Sequence, residues 1–366
     1  MIKSVLRLAS VSALALGLGF AVGSCTKKSG ESADGAPAAN APGAAKVVNL
    51  AIWSNFVSQE ALDDFKAKTG ITVNVTNYSS NEELLAKLQA GATGFDVAVP
   101  SDYMVFAMVQ LGLLEKLDAA KTPNRVGLDP QYLNKAFDPG NAYSVPFDWG
   151  TTGIAVHRDR FKGEIKSWKQ LFETPELAGK FTMLDDAREV LGAALKSMGR
   201  SLNTSTPAEI EAAKVLMKKI KPRVKSFTSE PLVGLKEGEI AVAQAYSSDA
   251  LQARRDTNGK IDYIIPEEGA TLWIDCLVIP KGAPHAEEAH ALINYLLDSK
   301  TDLERVKKIL VGSAHKESSV SLPNDIRAIP GLFPSPAIQG KLEVMNDLGD
   351  AMALYDRAWT EVKAGQ

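Results

Sequence analysis

The 366-residue chain carries 41 basic and 44 acidic side chains, a formal charge of −3, with 45% hydrophobic residues and only 7% aromatics. That length exceeds one small domain and suits two lobes of ordinary size, while the 23% charged fraction excludes wholesale disorder. A slightly acidic balance argues against nucleic-acid binding, which needs a basic face to meet phosphates. Two cysteines and four histidines support neither a disulfide framework nor a Cys/His zinc centre, so no cofactor and no metal are expected.

Lys3 and Arg7 precede an apolar run over residues 8–22 that is too short to span a bilayer comfortably and has the make-up of a secretory signal. The run ends in Val22-Gly23-Ser24-Cys25. Small residues just before a cysteine resemble the lipobox of bacterial lipoproteins, where the cysteine is lipidated and becomes the new N-terminus. Residues 1–25 are therefore expected to be a lipoprotein signal peptide; cleavage beside Ser24, with Cys25 incidental, is the alternative. Removing it takes away Lys3 and Arg7 and leaves 39 basic to 44 acidic residues, a charge of −5. Cys276 is then the one thiol of the folded part, expected to be a small buried hydrophobe. Residues 26–46 are mostly Ala, Gly, Pro and Ser. They cannot bury enough surface to offset their ordering entropy and are expected to form a disordered tether.

From residue 47 the pattern alternates strand and helix. Residues 47–54 (VVNLAIWS) form an apolar strand. Ser58 caps a helix running to Lys68, with Gly70 as its stop. Residues 71–78 (ITVNVTNY) are β-branched and alternating, hence a strand. Asn81 caps a helix over 81–91, and 95–100 (FDVAVP) is a third short strand. Strands separated by helices of about ten residues imply a parallel sheet and an α/β lobe. The same grammar returns with a strand at 180–184, a helix at 187–198 and a strongly amphipathic helix at 207–219. Strands follow at 239–246, 261–265 and 272–279. Residues 285–297 and 347–362 read as helices, with the Pro-rich stretch 321–336 as a long surface excursion between them.

Enzyme motifs are missing: the chain has no Gly-x-Ser-x-Gly elbow, no Walker loop and no His-Glu-x-x-His. No catalytic residue is assigned, and the chain is not expected to be an enzyme. His285 and His290, five apart, do not share a helix face well, and a solvated setting is expected for both. What the chain offers instead is aromatic residues beside carboxylates at strand ends, where open α/β sheets place ligands. Trp53 and Ser54 close the first strand, Ser101-Asp102-Tyr103 follow the third, and Asp185-Asp186-Ala187-Arg188-Glu189 join a strand to a helix. Trp273 and Asp275, two apart in a strand, point to the same face. Each has a plainer reading. Asp186 and Glu189 match a capping box, worth about 1 kcal/mol to a helix, and Trp273 fits core packing. Asp275 is harder to absorb, because a carboxylate buried unpaired in LWIDCLVIP costs several kcal/mol and demands a cation or several donors.

The same residues carry a family resemblance. Val99-Pro100-Ser101-x-Tyr103, then Asn134-Lys135-Ala136-Phe137-Asp138-Pro139 with Tyr143-Ser144-Val145-Pro146, come first. Asp185-Asp186-Ala187-Arg188-Glu189-Val190 and Pro266-Glu267-Glu268-Gly269 leading to Trp273-x-Asp275 follow in order, with Asn346-Asp347-x-Gly349 and Lys363-Ala364-Gly365 at the end. From residue 47 onward the chain resembles the spermidine/putrescine-binding proteins of bacterial ABC importers. The resemblance implies an α/β, two-lobed type II periplasmic-binding-protein fold with an interlobe ligand cleft. It implies an N-terminal lobe of 47–149 and 276–314 and a C-terminal lobe of 150–275 and 315–366, with crossings near Trp149-Gly150, Asp275-Cys276 and Ser313.

Carried over residue by residue, the family's aromatic walls fall on Trp53, Tyr103, Tyr246 and Trp273. Its hydroxyls fall on Ser54 and Ser101, and its ammonium-binding carboxylates on Asp186, Glu189 and Asp275. Phe56 stands where the family often has tyrosine, Tyr246 replaces a tryptophan, and Ser313 and Met345 stand where a tyrosine and a glutamine hold one end of the ligand. The resemblance thus implies a monomeric, periplasmic receptor, lipid-anchored to a membrane through Cys25, that delivers a polyamine to an inner-membrane ABC permease. A same-fold receptor for another cationic amine, an amino acid or a sugar stays open, as does a glycan-cleaving enzyme using paired carboxylates.

Overall fold

The computed structural model describes residues 46–91 and 94–365; the expected signal peptide, Cys25 and the tether up to residue 45 lie outside the described residues. Among the described residues ten strands form the framework: β1 (Val47–Trp53), β2 (Thr72–Tyr78), β3 (Val97–Ala98), β4 (Ser144–His157), β5 (Phe181–Met183), β6 (Val224–Phe227), β7 (Val242–Tyr246), β8 (Ile261–Ile264), β9 (Leu272–Val278) and β10 (Gly312–Ser313). Neighbours run in the order β2-β1-β3-β9-β4-β7-β5-β6, with β8 and β10 both pairing β4.

The first unit forms as the local pattern dictates. The Ser58 side chain accepts from the Ala61 N–H and starts helix Gln59–Thr69, and Gly70 at φ 73° ends it by returning its N–H to the Lys66 carbonyl. β1 and β2 then pair in parallel from Val47↔Thr72 to Trp53↔Tyr78. At the next helix, Asn81–Gln89, the cap is Ser80, which accepts from the Glu83 N–H. Asn81, expected as the cap, is the first helical residue, and its side chain is left free for other bonds.

The expectation of a parallel sheet holds for only part of the framework. β1–β2, β1–β3, β5–β6 and β5–β7 are parallel, whereas β9 runs antiparallel to both β3 and β4, and β4 runs antiparallel to β7, β8 and β10. β4 itself escapes the sequence pattern. All 14 residues of SVPFDWGTTGIAVH are buried, so no alternation marks it, and Pro, Gly and Asp within it read as breakers. Pro146 is accommodated beside an irregularity in the β4–β9 ladder, between Pro146 and Asp148.

β4 also joins the two main cores. Val145, Phe147 and Trp149 pack in a cluster with Phe65, Leu84 and Leu292, whereas Ile154 and Val156 belong to a cluster with Trp168, Phe181 and Tyr355. Where the strand passes from one to the other, a Cβ on Gly150 would lie 2.2 Å from the Trp273 ring and 2.5 Å from Ser247 Oγ; only a bare backbone fits there.

Three further expectations need correction. His290 is buried, not solvated: its Nε2 accepts from the Asp118 N–H at 3.1 Å and its Nδ1 lies 2.7 Å from the Ala286 carbonyl. The 321–336 stretch is no free excursion, since Leu322 and Leu332 are buried at its two ends. The last helix begins later than expected. A 3-10 turn at Gly349–Ala351 leads into helix Met352–Ala364, which Tyr355 anchors by donating to the Thr204 carbonyl at 2.9 Å.

The entry to β4 hangs on one carboxylate. Buried Asp138 accepts from Ala142 N at 3.1 Å, Tyr143 N at 3.0 Å, and Ser144 N and Oγ at 2.8 and 2.7 Å. Asp138→Ala is expected to destabilise the fold by about 2–4 kcal/mol in urea denaturation, since it strands several donors together, while Ser144→Ala costs about 1 kcal/mol.

Candidate functional site

A cleft of about 850 Å³ opens between the strand ends. All nine residues assigned to ligand binding by resemblance line it: Trp53, Ser54, Ser101, Tyr103, Asp186, Glu189, Tyr246, Trp273 and Asp275. Phe56 and Met345, the expected departures, line it as well. Ser313 does not. Its hydroxyl is buried on β10 and bonds Asp302 and the backbone of His315, so its replacement of a tyrosine is not a change in the lining itself.

One wall is a hydrogen-bonded chain. Asn81 sends its Nδ2 to Ser101 Oγ at 3.2 Å and Tyr103 Oη at 3.1 Å, and its Oδ1 accepts the Ser101 N–H at 3.0 Å. Ser101 Oγ then donates to Asp275 Oδ1 at 2.7 Å, where an isolated bridge joins the two backbones. Tyr103 donates onward to Glu82 at 3.0 Å. Next to Ser101, buried Asp102 accepts the N–H groups of Tyr103 at 2.7 Å and Ile274 at 3.1 Å, tying the start of helix Asp102–Gln110 to β9. Asp275 thus receives one side-chain donor, a serine hydroxyl from another strand end, and among the described residues no lysine or arginine bonds to it.

The opposite wall starts at helix Ala187–Ser197. Asp186 caps it, accepting the Glu189 N–H at 2.9 Å. The capping-box reading is half right: Glu189 does not reach back but turns its carboxylate to Thr152 Oγ1 at 2.8 Å and Thr271 Oγ1 at 2.9 Å. Arg188 between them is committed elsewhere, to Asn346 at 3.1 Å, Asn203 at 3.0 Å and the face of Tyr355. The rings frame both walls. Trp53 leans on Tyr78 at 4.6 Å between centroids, and Tyr246 meets Trp273 edge-on at 6.4 Å. The Nε1 atoms of Trp53 and Trp273 are buried without a hydrogen-bond partner among the described residues.

The charge of this lining is one-sided. Asp102, Asp186, Glu189, Glu230, Asp249 and Asp275 all contribute, and among the described residues no lysine, arginine or histidine lines the cleft. Burial dominates their protonation. It pushes Glu189 up to about 8, with Asp186 adding to the effect, and Asp102 and Asp249 up to about 7. Burial likewise raises Asp186, and raises Asp275 well above the carboxylate range, the charge of Asp148 contributing. Asn81, Tyr78, Asp102 and Asp249 were missed in the sequence. Asn81 was read as a helix cap and Asp102 only as a neighbour of Ser101; Tyr78 and Asp249 carry no local signal of a site.

A deep groove between strand ends, walled by rings and carboxylates, defines a receptor for a small solute. The chain belongs to the family described as bacterial extracellular solute-binding protein, which it matches over residues 60–328. It is similar to the spermidine/putrescine-binding periplasmic protein 1 of Haemophilus influenzae, 38% identical over 323 residues that cover 87% of this chain and 89% of the relative. It is also similar to the putrescine/cadaverine-binding protein of Pseudomonas aeruginosa, 33% identical over 333 residues covering 87% and 94% of the two chains. Among solved structures, a spermidine/putrescine ABC transporter substrate-binding protein of Streptococcus pneumoniae superposes with a TM-score of 0.77 at 28% identity, over 87% of this chain and 99% of that one. The fold is therefore the expected two-lobed α/β periplasmic-binding fold, and the protein is a binding protein, not an enzyme.

The raised carboxylates give the empty protein a distinctive pH response. Unfolded-chain carboxylates titrate near pH 4, whereas Glu189 titrates near 8 and Asp102 and Asp249 near 7 when folded. The folded state therefore holds more protons in between, and its stability falls as pH rises from about 4 to 8. Thermal denaturation is expected to show this decline, and Glu189→Gln to flatten its upper part.

Proposed function

We propose that the protein is the solute receptor of an ABC importer, working in the periplasm, and that its ligand is a polyamine of the putrescine or spermidine type. The observation that carries this reading is the lining: six carboxylates and six rings with no basic side chain among the described residues. A sugar calls for neutral donors and acceptors, and an amino acid calls for a cation to meet its carboxylate. A chain of methylenes ending in ammonium groups calls for what is here, carboxyl groups that ionise against its ends and flat rings along its length. Each good cation–π contact adds about 0.5–2 kcal/mol.

In this reading Asp275 holds one ammonium, backed by Ser101, while Asp186 and Glu189 meet the other cationic end. Trp53, Tyr103, Tyr246 and Trp273 sandwich the methylenes, and Ser54 adds a hydroxyl. Phe56 and Met345 add apolar surface to the cleft lining, and neither side chain offers a partner to a further ammonium. The lobes, taken as 47–149 with 276–314 and 150–275 with 315–366, close on the ligand about the strands that join them. The closed form hands its ligand to the permease. Lipidation of Cys25 keeps the monomeric receptor beside that permease on its 26–46 tether.

Calorimetric titration with putrescine and spermidine tests the reading. Saturable binding of either is expected, and no heat with any di- or triamine would sink it. Asp275→Asn is expected to weaken binding by about 2–4 kcal/mol, since it removes the charge facing an ammonium while keeping the side-chain shape. Unchanged affinity would contradict the assignment.

A further inference from the structure

Asp148 does not line the cleft, yet it stands directly behind the residue that does. In the β4–β9 ladder Asp148 is the register partner of Asp275, a relation that sets side chains on one face with Cβ atoms about 4.5–5.5 Å apart. Both are sealed from solvent, with 0% and 3% of their surface exposed. One oxygen of Asp148 is bound: Oδ2 accepts from Arg305 Nη1 at 2.6 Å. The guanidinium lies over the Phe147 ring at 3.6 Å and gives Nη2 to Asp302 at 2.8 Å. The other oxygen, Oδ1, is buried without a hydrogen-bond partner among the described residues.

Few groups around the pair can balance its charge. β9 supplies Asp275 and Cys276, β2 supplies Tyr78, and helix Asp102–Gln110 begins with buried Asp102. Helix Ser299–Ile309 supplies Arg305 and Asp302, and β10 supplies Ser313, whose hydroxyl is held by Asp302. His315, beyond β10, is turned against Gly127. Arg305 is the one cation in this set, and it already serves Asp148 and Asp302. A fully ionised Asp275 would add a further buried negative charge with only a serine hydroxyl to meet it.

We propose that Asp148 is a positioning residue for the ligand charge at Asp275: in the empty protein the two carboxyl groups carry one proton between them, and an arriving ammonium displaces it. The step balances. The protonated pair has one negative charge; the bound ammonium replaces the proton, both carboxylates become ionised, and the proton passes to solvent. The unpartnered Asp148 Oδ1 is the acceptor available to a protonated Asp275. Burial raises both groups, Asp148 to about 6 and Asp275 well above the ordinary carboxylate range, in keeping with a shared proton. Asp148 would thus make occupancy depend on the proton concentration outside the cell membrane. This rests on the polyamine reading of the cleft.

The test is calorimetric titration of the intact protein with putrescine between pH 5.5 and 8, in buffers of different ionisation enthalpy, which counts protons released. Wild type is expected to release protons, and Asp148→Asn, which removes the neighbouring charge but leaves Asp275 buried, to release fewer at the upper end of this pH range, with a correspondingly shallower rise of affinity with pH. Should Asp148→Asn fail to fold, Asp148→Ser, which leaves Arg305 paired with Asp302, is read in the same way. A variant that binds more weakly by the same factor at every pH, with proton release unchanged, assigns Asp148 a purely structural role and overturns the proposal. So does wild-type binding without proton release. If neither putrescine nor spermidine binds wild type at any pH, the polyamine reading falls and the proposal with it.

Discussion

The antiparallel pairing of β4 with β9 is the contact on which the rest of the molecule depends. β4 is buried along its whole length and contributes to both main cores, so it cannot move in one lobe without being felt in the other. β9 lies against it and carries Trp273 and Asp275 into the cleft. These two cleft-lining residues are therefore mounted on the ladder whose partner strand joins the two cores, not on loops that could shift independently. Loops decorate this arrangement; the ladder sets it.

Burying so many carboxylates beside that ladder conflicts with stability, and the structure shows how the conflict is contained. Three of the acids have neutral donors that hold their position without supplying a counter-charge: Ser101 for Asp275, the Tyr103 and Ile274 amides for Asp102, Thr152 and Thr271 for Glu189. Arg188, the basic residue nearest in sequence, is occupied by Asn346 and Asn203. A salt bridge inside the cleft would stabilise the empty state and compete with any cationic ligand. Neutral donors leave the carboxyl groups free to ionise against an arriving cation.

Much of this was legible in the sequence, and the exceptions share a cause. Strand β2 and the helices around Ser58 and Pro207 followed from local periodicity and end signals, while β1 and β9, largely buried, were legible as short unbroken apolar runs. β4 did not, since a strand buried on all sides has no alternation to reveal it. The same holds at the site. Asp275 stood out as a charge in an apolar run, but Asn81 resembled an ordinary cap, and its hydrogen bonds to Ser101 and Tyr103 cross twenty residues that local reasoning does not span. Ser313 shows the reverse error, a position singled out by analogy whose side chain serves β10 and Asp302 instead.

The two regions of the cleft differ in how firmly they are fastened. Around Asp275, Ser101 and Asn81 are locked to one another across strand and helix, and the bare backbone of Gly150 makes the room that Trp273 fills. Phe56 and Met345, by contrast, meet the cleft only through apolar surface. Change in the first region is costly, because one substitution leaves several buried groups unmatched; change in the second costs little more than altered packing. Descendants of this chain could thus vary Phe56 and Met345 at little cost while the hydrogen-bonded wall around Asp275 stays as it is, so that diversity of cargo accumulates at the apolar positions of the lining.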